Sequence, residues 1–321
     1  MNLNLKQLNF QNRSVLTVGD VMLDQYVLGS VDRISPEAPI PIFTQSEIKS
    51  TLGGSGNVSK NIHTLGAKSI LLALVGQDKT GEKIQKLCTE NSIELHYIKD
   101  ESRPTTCKKR FIAKNQQIMR LDEESIDLIS DSILEKSITS FDMLVGRSNL
   151  DAIIIQDYNK GFLHPKLIKH IIAAANEKQI VTIVDPKFKN LSAYNNCSAI
   201  KPNQKEISQA LNRKVSTSIE DLKSAVEELK KLISFDKIYV TLGSEGIYNY
   251  QNNQISKGYD IEVVDITGAG DSVVSMLALL LADNVEEDII CPILNIIGNL
   301  ACRTQGAYGV GIEELRGFIK S

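Results

Sequence analysis

Five short stretches of this chain are rich in β-branched and aliphatic residues and do not alternate with polar ones: Ser14–Val18, Ile70–Val75, Ala152–Ile155, Ile180–Val184 and Lys237–Thr241. A strand with one wet face alternates polar and apolar residues, whereas a continuous run suits a strand covered on both faces, as in a parallel sheet. Helical patterns fill the intervals. Asn57–Leu65 sets Val58, Ile62 and Leu65 on one face and stops at Gly66. Pro165–Lys178 opens on a proline, tolerated in a first turn, and turns Leu167, Ile168, Ile171 and Ile172 inward. Ser218–Ile233 and Ile289–Arg303 are further helices. Strand and helix in alternation predict an α/β fold, a parallel sheet with helices on both faces.

The segments 26–50 and 95–121 break this rhythm. The first holds Pro36, Pro39 and Pro41, and the second alternates around Lys108, Arg110, Ile112, Ile118 and Arg120. Both predict strands outside the main sheet, forming a small β lid on a single domain over residues 1–321. An exposed sheet of this kind has to be covered by substrate or by a second subunit, so a homodimer through the lid is expected.

The formal net charge is −3 with both signs interspersed, which gives no footprint for nucleic acid. The longest apolar run, Val273–Ala282, is too short to span a bilayer, and the first thirteen residues are not a secretion signal. A cytoplasmic protein is expected. The five scattered cysteines form no C-x-x-C and read as reduced thiols, and the four histidines lack zinc spacing.

Chemistry is concentrated in Asp265-Ile266-Thr267-Gly268-Ala269-Gly270-Asp271, directly ahead of the apolar run. Small residues at a helix start bring unpaired N–H groups and the positive end of the dipole close to an anion, and phosphate suits such a place. A carboxylate at its edge can accept a proton from a substrate hydroxyl, so the segment points to phosphoryl transfer. Gly53-Gly54-Ser55-Gly56-Asn57-Val58 is, alone, an ordinary glycine turn before a helix. A dinucleotide fingerprint fails there because Ser59 holds the third glycine position, and no G-x-x-x-x-G-K-[ST] occurs.

Together the two segments resemble the paired signatures of the ribokinase-like pfkB sugar kinases, Gly-Gly-x-x-Asn before a helix ending Leu-Gly, and Asp-x-Thr-Gly-Ala-Gly-Asp. Further matches follow in family order. Val18–Asp24 is similar to the first strand with its sugar-binding aspartate, and Val75–Gly81 to a V-G-x-D-x-x-G segment. Asn203-Gln204-Lys205-Glu206 is similar to the N-x-x-E magnesium and nucleotide motif, and Thr241–Gly246 to the nucleotide-side glycine turn. Asp20–Tyr26 with Arg33–Pro41, Asn115–Asp122, Asp157–Gly161 and Asp185-Pro186-Lys187 resemble, more narrowly, the family's kinases of D-glycero-D-manno-heptose 7-phosphate. Those are often fused to a nucleotidyltransferase, and the chain is read as the stand-alone form. It departs from them at Ser55-Gly56, where two alanines are usual, and at Ser272, where threonine is usual.

The resemblance implies a ribokinase-like, mostly parallel central sheet flanked by helices, with a small β-sheet lid. It implies that Asp271 is the general base and that the backbone N–H groups of Gly268, Ala269 and Gly270 form an anion hole. Asp24, Gly53, Gly54 and Asn57 would hold sugar hydroxyls, with Asp157 and Lys160 facing the same region. Lys108, Arg110 and Arg120 on the lid would meet the sugar's own phosphate, which an arginine fork suits. Asn203, Gln204, Lys205, Glu206, Thr241, Gly243, Gly246 and Asn299 would line the nucleotide, Asn203 and Glu206 orienting magnesium. ATP and Mg2+ are the expected cofactors, with a monovalent cation near Asp265 and Thr267. The expected reaction is ATP-dependent phosphorylation of the C1 hydroxyl of heptose 7-phosphate, toward ADP-heptose for lipopolysaccharide. The alternatives are another pfkB kinase with a ribose- or fructose-like substrate, and a silent sugar- or nucleotide-binding protein of the same fold.

Overall fold

The structure, a computed structural model, describes residues 5, 8–114, 116–259, 262–304 and 306–318; Asn115, part of one heptose-kinase stretch, lies outside the described residues. The first half of the chain gives β1 (Ser14–Gly19), β2 (Val21–Ile34), β3 (Pro41–Gly54), α1 (Ser55–Thr64), β4 (Lys68–Val75), α2 (Lys79–Glu90), β5 (Glu94–Lys99), β6 (Cys107–Ala113), β7 (Gln116–Glu123), α3 (Asp131–Arg147) and β8 (Ala152–Gln156). The second gives α4 (Pro165–Glu177), β9 (Val181–Asp185), β10 (Cys197–Ile200), α5 (Gln204–Ala210), α6 (Ile219–Leu232), β11 (Phe235–Thr241), β12 (Ile247–Asn249), β13 (Gln254–Ser256), α7 (Ala269–Ala282), α8 (Glu287–Ala301) and α9 (Ile312–Gly317).

Among the described residues the main sheet has nine strands, in the order β13-β12-β11-β10-β9-β8-β1-β4-β5. From β11 to β5 neighbouring strands run parallel, and β12 and β13 add an antiparallel edge. The five non-alternating runs are all parallel strands of this sheet, and alternate residues of each strand enter different cores. Leu16, Val18, Ile153 and Ile155 pack with Leu167 and Ile171 of α4 and Val226 of α6. Val15, Ala152 and Ile154 pack with Val58 and Ile62 of α1 and Leu277 of α7. Fully burying one such side chain is worth about 1.5–3 kcal/mol, which is why both faces select aliphatic residues. Helix α7 is buried from Asp271 to Leu281, as an all-round apolar helix between sheet and α8 must be.

The lid is a separate four-stranded sheet among the described residues, in the order β3-β2-β6-β7. Strands β2/β3 and β6/β7 are antiparallel, while β2/β6 is parallel. Its bounds correct the sequence expectation twice. The lid hairpin starts at Val21 and ends at Gly54, well outside 26–50, so Asp24 stands on a lid strand rather than on the first sheet strand. The stretch read as similar to one first strand is two, parted at Asp20. Residues 95–99 belong to β5, the main-sheet edge paired with β4. Of β5 only Ile98 is buried, so this edge strand mixes polar and apolar residues as a lid strand does, and pattern could not separate them. Strands β10, β12 and β13, of three or four residues each, carried too few positions for a pattern.

Parallel strands align their carboxyl ends, and in open α/β sheets ligands gather there. Gly19, Gln156 and Asp185 end β1, β8 and β9 in mutual register, and Lys201 follows β10.

Candidate active site

Asp271 sits in the first turn of α7, only 6% exposed, beneath an exposed Gly270. Its carboxylate is held from two sides. Asn57 Nδ2 donates to Oδ2 at 2.7 Å; the Tyr158 hydroxyl donates to Oδ1 at 2.9 Å and Gln156 Nε2 at 3.4 Å. Burial pushes Asp271 up to about 6, helped by the nearby Asp185 carboxylate and opposed by the Asn57 and Tyr158 hydrogen bonds and by Lys201. A carboxylate so poised is ionised at neutral pH yet basic enough to accept a proton.

Gln156 Nε2 also donates to Asp185 Oδ2 at 2.8 Å, and Asp185 Oδ1 lies 2.9 Å from Lys201 Nζ. The Lys201 side chain is 4% exposed. Burial alone would lower its ammonium, but Asp185, Glu206 and Asp271 together hold it above the ordinary lysine value. A methyl group built on Gly270 would meet nothing nearer than Lys201 Nζ, 4.0 Å away. The space over the glycines is therefore open, with a fixed cation at its floor.

Gly268 adopts a left-handed conformation, φ 81°, and a side chain there would run into Asn57 Nδ2 at 2.9 Å. The tight turn thus joins the two glycine segments of the sequence. One expected donor is corrected: the Ala269 N–H already bonds the Ile266 carbonyl at 3.3 Å. The N–H groups of Gly268, Gly270 and Asp271 have no such backbone acceptor among the described residues, as expected at a helix start.

On the lid side, Asp24 Oδ1 accepts from Arg110 Nη1 at 2.5 Å, and the Arg110 guanidinium lies over the Tyr26 ring. Gly53 is tied to this group, because any Cβ there would stand 2.2 Å from Asp24 Oδ2. Cross-strand register puts Asp24, Lys108 and Asp122 in one row, and Tyr26, Arg110 and Arg120 in the next, all on one face. Arg120, 48% exposed, bonds Asp122, and Lys160 Nζ bonds Glu124 at 2.6 Å. Asp157 does not join the group. Its carboxylate accepts from Tyr194, Asn190 and the Asn159 N–H and is 2% exposed, so it fastens the loop after β8 to the interior.

On the opposite side Asn203 caps α5, and Glu206 returns the bond to the Asn203 N–H while pairing with Lys187. Asn203 forms a bridge with Thr241, which brings the Asn-x-x-Glu segment beside the Gly243–Gly246 turn. Asn299 Nδ2 is buried without a hydrogen-bond partner. Gln204 instead turns to the Val215 carbonyl at 2.8 Å, and Lys205 is exposed.

The sequence pattern of the pfkB family of carbohydrate kinases matches residues 12–310. The chain belongs to this family. The bifunctional protein HldE of Bradyrhizobium sp. (strain ORS 278) is 35% identical over 310 residues, 95% of this chain and 63% of that protein. HldE of Campylobacter jejuni (strain RM1221) is 34% identical over 98% of this chain and 66% of that protein. The chain thus spans a little under two thirds of the length of these relatives. Phosphofructokinase-2 from Escherichia coli in complex with potassium shares the fold, with a TM-score of 0.78 over 96% of this chain and 99% of that one, at 19% identity. The protein is a sugar kinase, a phosphotransferase to an alcohol acceptor.

For a pfkB kinase four residues of this centre had no role assigned from sequence: Gln156, Tyr158, Asp185 and Lys201. Each lies at or just past the carboxyl end of an apolar strand. A polar residue closing such a run was the available signal. Among the described residues no helix is long and apolar enough to cross a membrane, and no cluster of three His, Cys, Asp or Glu could hold a metal by itself.

Proposed function

We propose that this kinase phosphorylates the C1 hydroxyl of D-glycero-D-manno-heptose 7-phosphate with ATP, giving the 1,7-bisphosphate. The observation that carries the reading is a cluster of four cations, Lys108, Arg110 and Arg120 on the lid and Lys160 in the loop after β8, set among three carboxylates, Asp24, Asp122 and Glu124. Four cations against three carboxylates leave an excess of positive charge that suits a sugar carrying its own phosphate. The heptose as the sugar is what the resemblance of Asp20–Tyr26, Arg33–Pro41 and Asp157–Gly161 to the heptose 7-phosphate kinases implies.

In this reading Asp24 and the Gly53–Gly54 turn bind sugar hydroxyls, and Asn57 links them to the base. The C1 oxygen attacks the γ-phosphorus, the bond to the bridging oxygen of ADP breaks, and the hydroxyl proton passes to the Asp271 carboxylate. Gly270 and Asp271 N–H groups, with Lys201 beneath, oppose the charge on the transferring group; fixed donors and charges of this kind supply most of the catalysis in phosphoryl transfer. Magnesium keeps several waters and takes one or two carboxylates plus substrate phosphates. Glu206 would act on that ion through its waters, since its Oε1 pairs with Lys187 and its Oε2 accepts from the Asn203 N–H, and the ion when bound would neutralise phosphate charge. Asp265 accepts from Thr267 and the Gly306 N–H, fixing the loop where a monovalent cation is proposed.

The lid's outer face exposes Ile48, Met119 and Leu121 beside the Phe43–Phe111 pair. Register places Ile48, Phe111 and Met119 on the face away from Asp24, and we assign it to a second copy of the chain. The test of substrate is ADP release over a panel of sugars with and without a terminal phosphate. Heptose 7-phosphate is expected to give the highest kcat/KM; preference for fructose 6-phosphate or ribose would overturn the heptose reading.

A further inference from the structure

Two lysines from separate elements converge on one carboxylate at the edge of the sugar side. Lys108 stands on β6 and Lys160 in the loop after β8, with side chains 17% and 16% exposed. Lys160 Nζ lies 2.6 Å from Glu124 Oε1, and Lys108 Nζ lies 3.9 Å from Glu124 Oε2 and 3.5 Å from Asp122 Oδ2. Glu124 Oε2 is buried and receives no hydrogen bond. Buried acceptors are almost always satisfied, so an idle carboxylate oxygen between two ammonium groups calls for an explanation.

The lysines are fixed at the backbone. Lys108 is held in the sheet between Asp24 and Asp122. The Lys160 N–H donates to Asp20 Oδ2 at 3.0 Å, and its carbonyl accepts from Arg103 at 3.3 Å. Glu124 instead follows the last residue of β7, outside the ladder. The other two cations are engaged more tightly than Lys108 is by Asp122 at 3.5 Å: Arg110 Nη1 lies 2.5 Å from Asp24 Oδ1, and the half-exposed Arg120 lies 2.8 Å from Asp122 Oδ1.

We propose that Lys108 and Lys160 are the seat of the sugar's own phosphate, and that Glu124 is a resident counter-ion which this phosphate displaces. Glu124 thereby sets the preference between phosphorylated and unphosphorylated sugars. The proposal rests on the sugar-phosphate reading above. A phosphate brings nearly two charges and three strong acceptors to two lysines that the carboxylate serves with one idle oxygen. The exchange keeps both ammonium groups paired before and after binding, so neither state leaves a half-buried cation alone. A sugar without phosphate leaves Glu124 in place.

The test is the ratio of kcat/KM for the best phosphorylated sugar of the panel to that for the same sugar without phosphate. Both are measured on one preparation of each variant, so the folded fraction cancels. Glu124→Gln keeps the shape and removes the charge, and is expected to raise the ratio roughly three- to tenfold. Lys160→Met is expected to lower it by about tenfold. A lower or unchanged ratio in Glu124→Gln overturns the counter-ion role; an unchanged ratio in Lys160→Met overturns the seat. If the wild type prefers a sugar phosphate other than the heptose, the heptose reading fails while this ratio still decides. If it prefers unphosphorylated sugars throughout, both fall.

Discussion

Removing the Tyr158 hydroxyl should move the pH at which the kinase switches on. The hydroxyl donates to Asp271 Oδ1 at 2.9 Å, and this bond is among the forces that keep Asp271 from rising above about 6. A hydrogen bond to a charged acceptor is worth about 1.5–3 kcal/mol, and one pKa unit is about 1.4 kcal/mol. Tyr158→Phe should therefore carry Asp271 up by about one to two units, to about 7 or 8. At pH 7 the ionised fraction falls from about nine tenths to between about one half and one tenth, so kcat/KM drops about two- to tenfold. At pH 9 the loss should largely disappear. The assay is ADP release at low sugar concentration between pH 5 and 9.5. An acid limb that stays near pH 6, with a loss equal at every pH, would refute a role for Tyr158 in holding the base ionised.

Lys201→Met should lower kcat by about 10²-fold or more while the KM for sugar changes little, because its charge opposes one that develops in transfer. Equal loss in kcat and sugar affinity would place Lys201 in ground-state binding. Burial, with Asp157 nearby, raises Asp20 to about 7 against three backbone N–H donors. A carboxyl raised on folding keeps its proton longer in the native state, so its stabilisation is present at low pH and lost as pH climbs from about 4 through 7. The melting temperature of Asp20→Asn relative to wild type should therefore improve from pH 5 to pH 8; a constant difference would mean that Asp20 is ionised throughout. Light scattering at micromolar concentration should give a dimer, and Met119→Glu with Leu121→Lys should give a monomer; a monomeric wild type would remove the lid interface.

The main sheet was readable because its strands are buried on both faces, and five runs such as Ile70–Val75 that do not alternate, with helical segments between them, point to a parallel sheet. The lid was half readable. Its β6–β7 hairpin showed through alternation, but the edge strand β5 also mixes polar and apolar residues. The break at Asp20, which parts β1 from β2, leaves no mark in hydropathy because both flanks are buried. Asp271 and its glycines stood out as a contiguous segment. Tyr158, Asp185 and Lys201 did not, since what unites them is strand register across β8, β9 and β10, a relation between residues far apart in the chain. Asp157 was misjudged for a related reason: alternation at the end of β8 sends neighbouring side chains to opposite faces, and it is Tyr158 that reaches the base.

The base itself is tested most directly by Asp271→Asn. Loss of a general base typically costs about 10²–10⁴-fold. The expected result is turnover reduced at least a hundredfold, with ATP affinity by calorimetry within about twofold of wild type. Turnover near the wild-type rate, in a variant that binds ATP normally, would contradict the assignment of proton transfer to Asp271.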